Sequence, residues 1–424
     1  MANQGLADGP VLDPSTPGAS PSAGRVRAVT ADALQHWIDG AAHFNMFSIP
    51  DQTVTSLAIF ASGDSEKIIG FNIHEVLHRF GVVTETFNAQ TVLRTRNSIR
   101  DPAGKFTHRW LLAPDDFVGS PDREPPPTTL NPTRPQRFIM LDSICTFGDG
   151  SDGFRGFGTG RTLPVMLDGQ PQLLATAVGT IVKGSGKLQG HDEGTYVYCG
   201  TLSAQHGFTG NVLLRVVDSQ HDLSTEECLP ASGLTPNPQP EFIYLLFRGQ
   251  AAPLDLVTPR VAPGGKTTGL MVEQGLRQLD LDFTAAGRGG LQSTSEVGPS
   301  IGRITAYVTF DVTAPGGSLI DPIPFVSRDE FVFQDHDGKR IGTLVANSNE
   351  GRVFHTRVAG LPGIRFGGTG QILRGTGIFE GISGLMTDNS VVMFSPHVSA
   401  SVYVLRIHDP QGKFGAPTIA SSKS

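Results

Sequence analysis

His74-Glu75-Val76-Leu77-His78 is the first group whose residue types and spacing suggest chemistry. On a helix the two histidines share a face and can bind zinc, with Glu75 as general base. Ile73, Val76, Leu77 and Phe80 recur at helical spacing, and Gly81 stands where a helix C-cap glycine belongs, so the segment reads as an amphipathic helix. The third ligand of a zinc peptidase is missing, because Thr84 occupies the metzincin position and Glu85 is too near to be a distal ligand. A zinc metallopeptidase through His74 and His78 therefore stands only as an alternative. The expectation is no metal and no cofactor.

A second constellation is Glu193, Tyr196 and Tyr198, next to Cys199. The tyrosines share one strand face by period 2 and Glu193 lies in the preceding turn. Two phenols with a carboxylate can polarise a carbonyl or epoxide and shuttle a proton. The plainer reading is two tyrosines packing a barrel wall. Asp311, Glu330 and Gln334 form a third set, the last two on one strand face, with solvent-facing alternation as its plainer reading. These six residues are the catalytic candidates. Nucleotide motifs fail: Gly264-Gly265-Lys266-Thr267-Thr268 has Arg260 where a phosphate loop needs its first glycine, and no Gly-x-Ser-x-Gly elbow occurs.

The elements that must position these residues read as strands. The chain has 424 residues, 52 Gly and 30 Pro, with only 17% charged, and its Val, Ile, Thr and Phe runs are broken by turns every eight to twelve residues. That pattern favours an all-β protein of two or three domains. A net charge of −7 without basic clusters excludes a nucleic-acid footprint. Three cysteines without a CxxC, no apolar leader and no membrane-length run suggest a soluble protein in a reducing, cytoplasmic setting.

Along the chain, 1–30 reads as a disordered tail and 31–118 as a mixed α/β segment. The latter opens with a helix over Ala31–Asp39 capped by Thr30 or Asp32. Pro-rich linkers at 119–136 and 229–240 bracket a β-unit at 137–228. A second unit with preceding strands spans 241–410, and 411–424 is a flexible tail. Asp335-His336-Asp337-Gly338 is a hairpin turn.

One segment occurs twice. Gly179–Gly190 (GTIVKGSGKLQG) returns as Gly370–Gly381 (GQILRGTGIFEG) with five identical positions, which argues for two related β-units. Each copy is an alternating strand entering a Gly-[Ser/Thr]-Gly bend. Phe325–Gly342 followed by Gly375–Gly384 resembles the allene oxide cyclase and dirigent-protein barrels over roughly 300–409, and a weaker copy covers about 137–219. The resemblance implies tandem eight-stranded antiparallel barrels, each with a small apolar molecule in its mouth, and association through outer barrel faces. It maps the family's first-strand acid nearest to Asp311 and gives Glu380 a structural role in the bend.

The expected function is a cofactor-free cyclase, isomerase or lyase-type enzyme acting on a small hydrophobic molecule. A non-catalytic carrier or dirigent-like stereochemical guide is the alternative. An acid deep in a barrel with a raised pKa favours the enzyme; a wholly apolar lumen favours the carrier.

Overall fold

The computed structural model describes residues 30–112, 136–225 and 242–414. Short stretches within these ranges are excepted: 31–32, 36–37, 39–40, 55–56, 87–93, 168–169, 192, 204–206, 219–220, 251–256, 286–289, 312–321, 336, 359 and 395–396. Residues 1–29, the two Pro-rich linkers apart from Gln136, and the last ten residues lie outside the described residues. Two nine-stranded antiparallel sheets account for almost everything else. The first holds β1 (Ala42–Pro50), β2 (Leu57–Ala61), β3 (Asp64–Thr86), β4 (Arg94–Leu112), β5 (Gln136–Phe147), β6 (Asp152–Leu167), β7 (Gln170–Ser185), β8 (Thr195–Ser203) and β9 (Gly207–Val216). The second holds β10 (Phe242–Gln250), β11 (Val257–Val261), β12 (Thr267–Thr284), β13 (Gln292–Phe310), β14 (Ile323–Gln334), β15 (Arg340–Val358), β16 (Leu361–Gly377), β17 (Ser383–Phe394) and β18 (His397–His408).

Both sheets close on themselves, β1 pairing with β9 and β3, and β10 with β18 and β12. β2 and β11 run along the same β3 and β12 farther out, so each wall is eight strands around with one strand broken in two. The protein is thus all-β, with a closed eight-stranded antiparallel barrel and a second ring-bonded sheet. The second ring is uneven: β10 meets β18 along its whole length but β12 only from Phe247–Gln278 to Gln250–Gly275. Strand order is the same in both, and the duplicated sequence forms the seventh strand of each, β7 and β16, with its following bend. Gly179, which opens the repeat inside β7, has no room for a side chain: a Cβ there would lie 2.1 Å from Tyr196 Cζ.

A second, shorter repeat follows the last strand of each ring. Asp218 accepts the N–H groups of Asp222 and Leu223, and Asp409 those of Lys413 and Phe414. The turns pass through His221 (φ 56°) and Gly412 (φ 66°), and then seat Leu223 and Phe414 in the cores of the two rings.

Two sequence expectations change here. The His74–His78 segment is not a helix but the middle of β3, alternating Ile73, Glu75 and Leu77 inward. A strand and an amphipathic helix compete for such a short apolar pattern, and pairing with β4 on one edge and β1 on the other decides it. The segment 31–118 is not a separate mixed unit, because β1–β4 are wall strands of the first ring. Finally, 241–300 belongs by pairing to the second ring, yet its β12–β13 hairpin crosses over the first. Phe283, Ala285 and Leu291 enter the first ring's core, with Phe283 edge-on to Phe44 at 5.8 Å. Arg79 and Arg100 grip Asp282 at 2.9 and 2.8 Å.

The expected N-terminal helical turn does begin at Thr30, whose Oγ1 accepts Ala33 N–H at 3.2 Å. It docks Leu34 and Ile38 on the second ring. Between the rings, Phe47, Phe80 and Tyr244 cluster with Leu246 and Leu279. The buried Arg365 donates to Gly194 O, Thr195 Oγ1 and Thr180 Oγ1, and Asn389 donates to Thr195 O.

Candidate functional site

The interior of the second ring is layered. One apolar layer contains Leu276, Phe331, Phe333, Leu344, Met386 and Leu405, and the other Leu270, Val272, Phe325, Phe366 and Val392. Between them the same inward faces carry a polar belt: Gln274 from β12, Ser327 and Asp329 from β14, Ser348 from β15, Asp388 and Ser390 from β17, and Ser399, Ser401 and Tyr403 from β18. All but Ser327 are buried. Alternation puts them there. In β14 the odd residues Phe325, Asp329, Phe331 and Phe333 are buried, and the even residues from Val326 to Gln334 face outward.

The belt is wired through one amide. Gln274 Nε2 donates to Ser399 Oγ and Ser401 Oγ at 2.9 Å each, while Tyr403 Oη donates to Gln274 Oε1 at 2.9 Å. Ser390 Oγ bridges Ser401 Oγ at 2.8 Å and Asp388 Oδ2 at 3.2 Å. Asp329 takes a 2.7 Å hydrogen bond from Ser327. Burial pushes the Asp329 carboxyl up to about 7, Ser327 offsetting only part. Asp388 is pushed well above the carboxylate range by burial first, and then by the charge of Asp329. The Tyr403 phenol is raised by burial and by both aspartates. The result is two buried carboxyls that resist simultaneous ionisation.

Equivalent positions in the first ring are also polar. Strand register matches Glu75 with Gln274, Ser143 with Asp329, and Tyr198 with Asp388. There the network is satisfied and enclosed in rings. Trp110 Nε1 donates to His108 Nδ1 at 2.7 Å, which leaves the His108 Nε2 hydrogen for Glu75 Oε2 at 2.9 Å. Tyr198 Oη donates to Glu75 Oε1 and Tyr196 Oη to Ser143 Oγ, both at 2.9 Å. Burial holds both phenols up, Tyr196 at a value above the ordinary tyrosine range. Phe106 stacks on His108, and Trp110 on Phe138. This interior is a packed core.

The six sequence candidates separate accordingly. Tyr196 and Tyr198 share an inward face as expected, but their carboxylate is Glu75, on β3. Glu193 is exposed and accepts Thr356 Oγ1 across the ring boundary at 2.6 Å. Glu330 faces outward, paired with Arg328 at 2.7 Å, beside an external depression lined by Tyr307 and Met271. Gln334 lies on the same outer face, and Asp311 sits just past the end of β13, its N–H on Pro324 O. The resemblance-based first-strand acid therefore has no counterpart in the belt. His74 and His78 are four strand residues apart, about 13 Å at ~3.3 Å per residue. They bond Thr107 Oγ1 and Arg100 O respectively, so they cannot share a metal. Among the described residues no three His, Cys, Asp or Glu side chains are placed to hold one.

Asp329 is legible in the sequence: it belongs to the phenylalanine-bearing phase of β14, one residue before Glu330. Asp388 was not, because β17 is buried on both faces and shows no alternation. Comparison with protein-family models, with curated proteins and with solved structures gave no match.

Proposed function

We propose that this chain is a cofactor-free isomerase or cyclase of a small, largely apolar molecule, with the belt of the second ring as its reaction site. The observation that supports this reading is the pair of buried acids, Asp329 and Asp388, between two apolar layers. Asp388, its carboxyl pushed well above the ordinary carboxylate range by burial and by Asp329, serves as general acid. Asp329, with its pKa about 7, serves as the base that accepts a proton from the substrate. Raised acids are what an enzyme needs and what a simple apolar carrier does not. Ser327, Ser348, Ser390, Ser399 and Ser401 keep side-chain bulk at the belt low. The first ring, with its aromatic filling, acts as scaffold.

The test is turnover of an apolar carbonyl and olefin panel by the purified chain, monitored as isomeric products of unchanged mass. Asp388→Asn and Asp329→Asn are each expected to lower the rate about 10²-fold or more while ligand binding survives. The rate should rise through about pH 7 in the native chain and lose that limb in Asp329→Asn. Binding without turnover in the native chain would instead establish the carrier. Turnover unaffected by both variants would move the chemistry elsewhere.

A further inference from the structure

β1 belongs to the first ring and runs against β12 and β13 of the second. Its Ala42, Phe44 and Met46 point into the first ring's core, so His43 points outward, toward the second ring. His43 is nonetheless buried, at 2% exposure. One ring nitrogen bonds the Ala41 carbonyl, and Nε2 has no hydrogen-bond partner. Nδ1 therefore carries the hydrogen and Nε2 a buried lone pair. The charges around this ring are of one sign. Arg215 stands opposite it on β9 and Arg248 reaches it from β10, and both act on it electrostatically. β13 supplies Ser293, whose Oγ donates to His43 O. β12 carries Asp280 and Asp282, and Asp282 is held by Arg79 and Arg100. Among the described residues, no carboxylate acts on the His43 ring.

A proton added at Nε2 makes an N–H without an acceptor and a third positive charge beside two guanidinium groups. Burial first, and then Arg248 and Arg215, hold the His43 pKa well below its ordinary 6.5, with the Ala41 carbonyl offsetting only part. The closed contact refuses a proton that a solvated imidazole accepts.

We propose that the contact between the two rings is an acid-sensitive latch: when His43 takes up a proton, β10 and the β12–β13 hairpin part from β1. Above pH 6.5 His43 is neutral in both the closed and the parted form, and the contact has its full strength. Below 6.5 the parted form gains a proton that the closed form does not. The parted fraction then rises about tenfold per pH unit until the closed form is protonated as well. Parting breaks the Ser293–His43 bond and withdraws Phe283, Ala285 and Leu291 from the first ring's core.

The experiment follows amide hydrogen exchange of the full chain by mass spectrometry from about pH 7.5 to about pH 4.5, with rates corrected for the intrinsic pH dependence of exchange. In the native chain, peptides of β1 and of the β12–β13 hairpin should open about tenfold more per pH unit below 6.5, while those of β17 stay protected. His43→Gln keeps a polar, uncharged side chain, and its β1 and hairpin peptides should lack this acid limb. Circular dichroism checks that the variant folds. If it does not, Arg248→Met removes one of the repelling charges, and the opening near pH 4.5 should fall severalfold relative to the native chain. An acid limb that is the same in the native chain and the folded variant overturns the proposal. So does loss of protection in β17 together with the hairpin, which would mean that acid unfolds the whole chain and does not release one contact.

Discussion

Replacing Asp329 with asparagine keeps the shape of the side chain and removes its ionisation, so it isolates the electrostatic cost of the belt. Burial raises the Asp329 carboxyl from 3.8 to about 7. At 1.36 kcal/mol per pKa unit, the folded state then binds this proton more tightly than the unfolded chain by about 4 kcal/mol. The sign follows from proton counting. Between pH 4 and 7 the unfolded chain has released a proton that the folded chain still holds, so stability falls as pH rises through that window and stays reduced above it. Asp329→Asn lacks this loss. The stability difference, native minus variant, should therefore drop by about 1.4 kcal/mol per pH unit from near pH 4 to near pH 7 and more slowly above that. Carboxylates other than Asp388 contribute to both chains and cancel. Removing the Asp329 charge also relieves Asp388, which adds in the same direction above pH 7. Urea unfolding at half-unit steps from pH 4.5 to 8.5 measures the difference directly. A difference that stays flat across the window would mean that Asp329 is solvated in the folded protein, and the case for a protonated acid in the belt would collapse.

Gly179→Ala places a methyl 2.1 Å from the ring of Tyr196, which is fixed by its bond to Ser143, so urea denaturation should show a loss of about 1–3 kcal/mol. Arg365→Ala strips donors from Thr180, Thr195 and Gly194 between the rings. A loss of about 2–4 kcal/mol is expected, with calorimetry showing the two rings melting in separate steps; a single unshifted transition would contradict the interface described above. Elemental analysis of the native chain and of His74→Ala/His78→Ala should return no zinc for either, since the histidines lie about 13 Å apart along one strand. Stoichiometric zinc lost in the double variant would refute that placement.

Local pattern decided what local pattern can. Composition and turn spacing specified an all-β chain, and the twelve-residue repeat marked the seventh strand of each ring. Period 2 put Tyr196 and Tyr198 on one face, and Thr30 capped its helical turn as read. Each of these depends on residues within a few positions of one another. What the sequence left open depends on closure. The His74–His78 segment fits a helix and a strand equally until β1 and β4 pair with it, and only then does Glu75 turn inward to meet Tyr198, 123 residues away. Asp329 and Asp388 lie on strands that are not neighbours, and only a closed ring turns both into one interior. The β12–β13 hairpin reads as ordinary strand, yet Phe283 and Leu291 on its two arms pack into the core of the other ring. Side-chain phase is written in the sequence, but which phases face one another is set by strand register around the ring, and register is a property of the whole sheet.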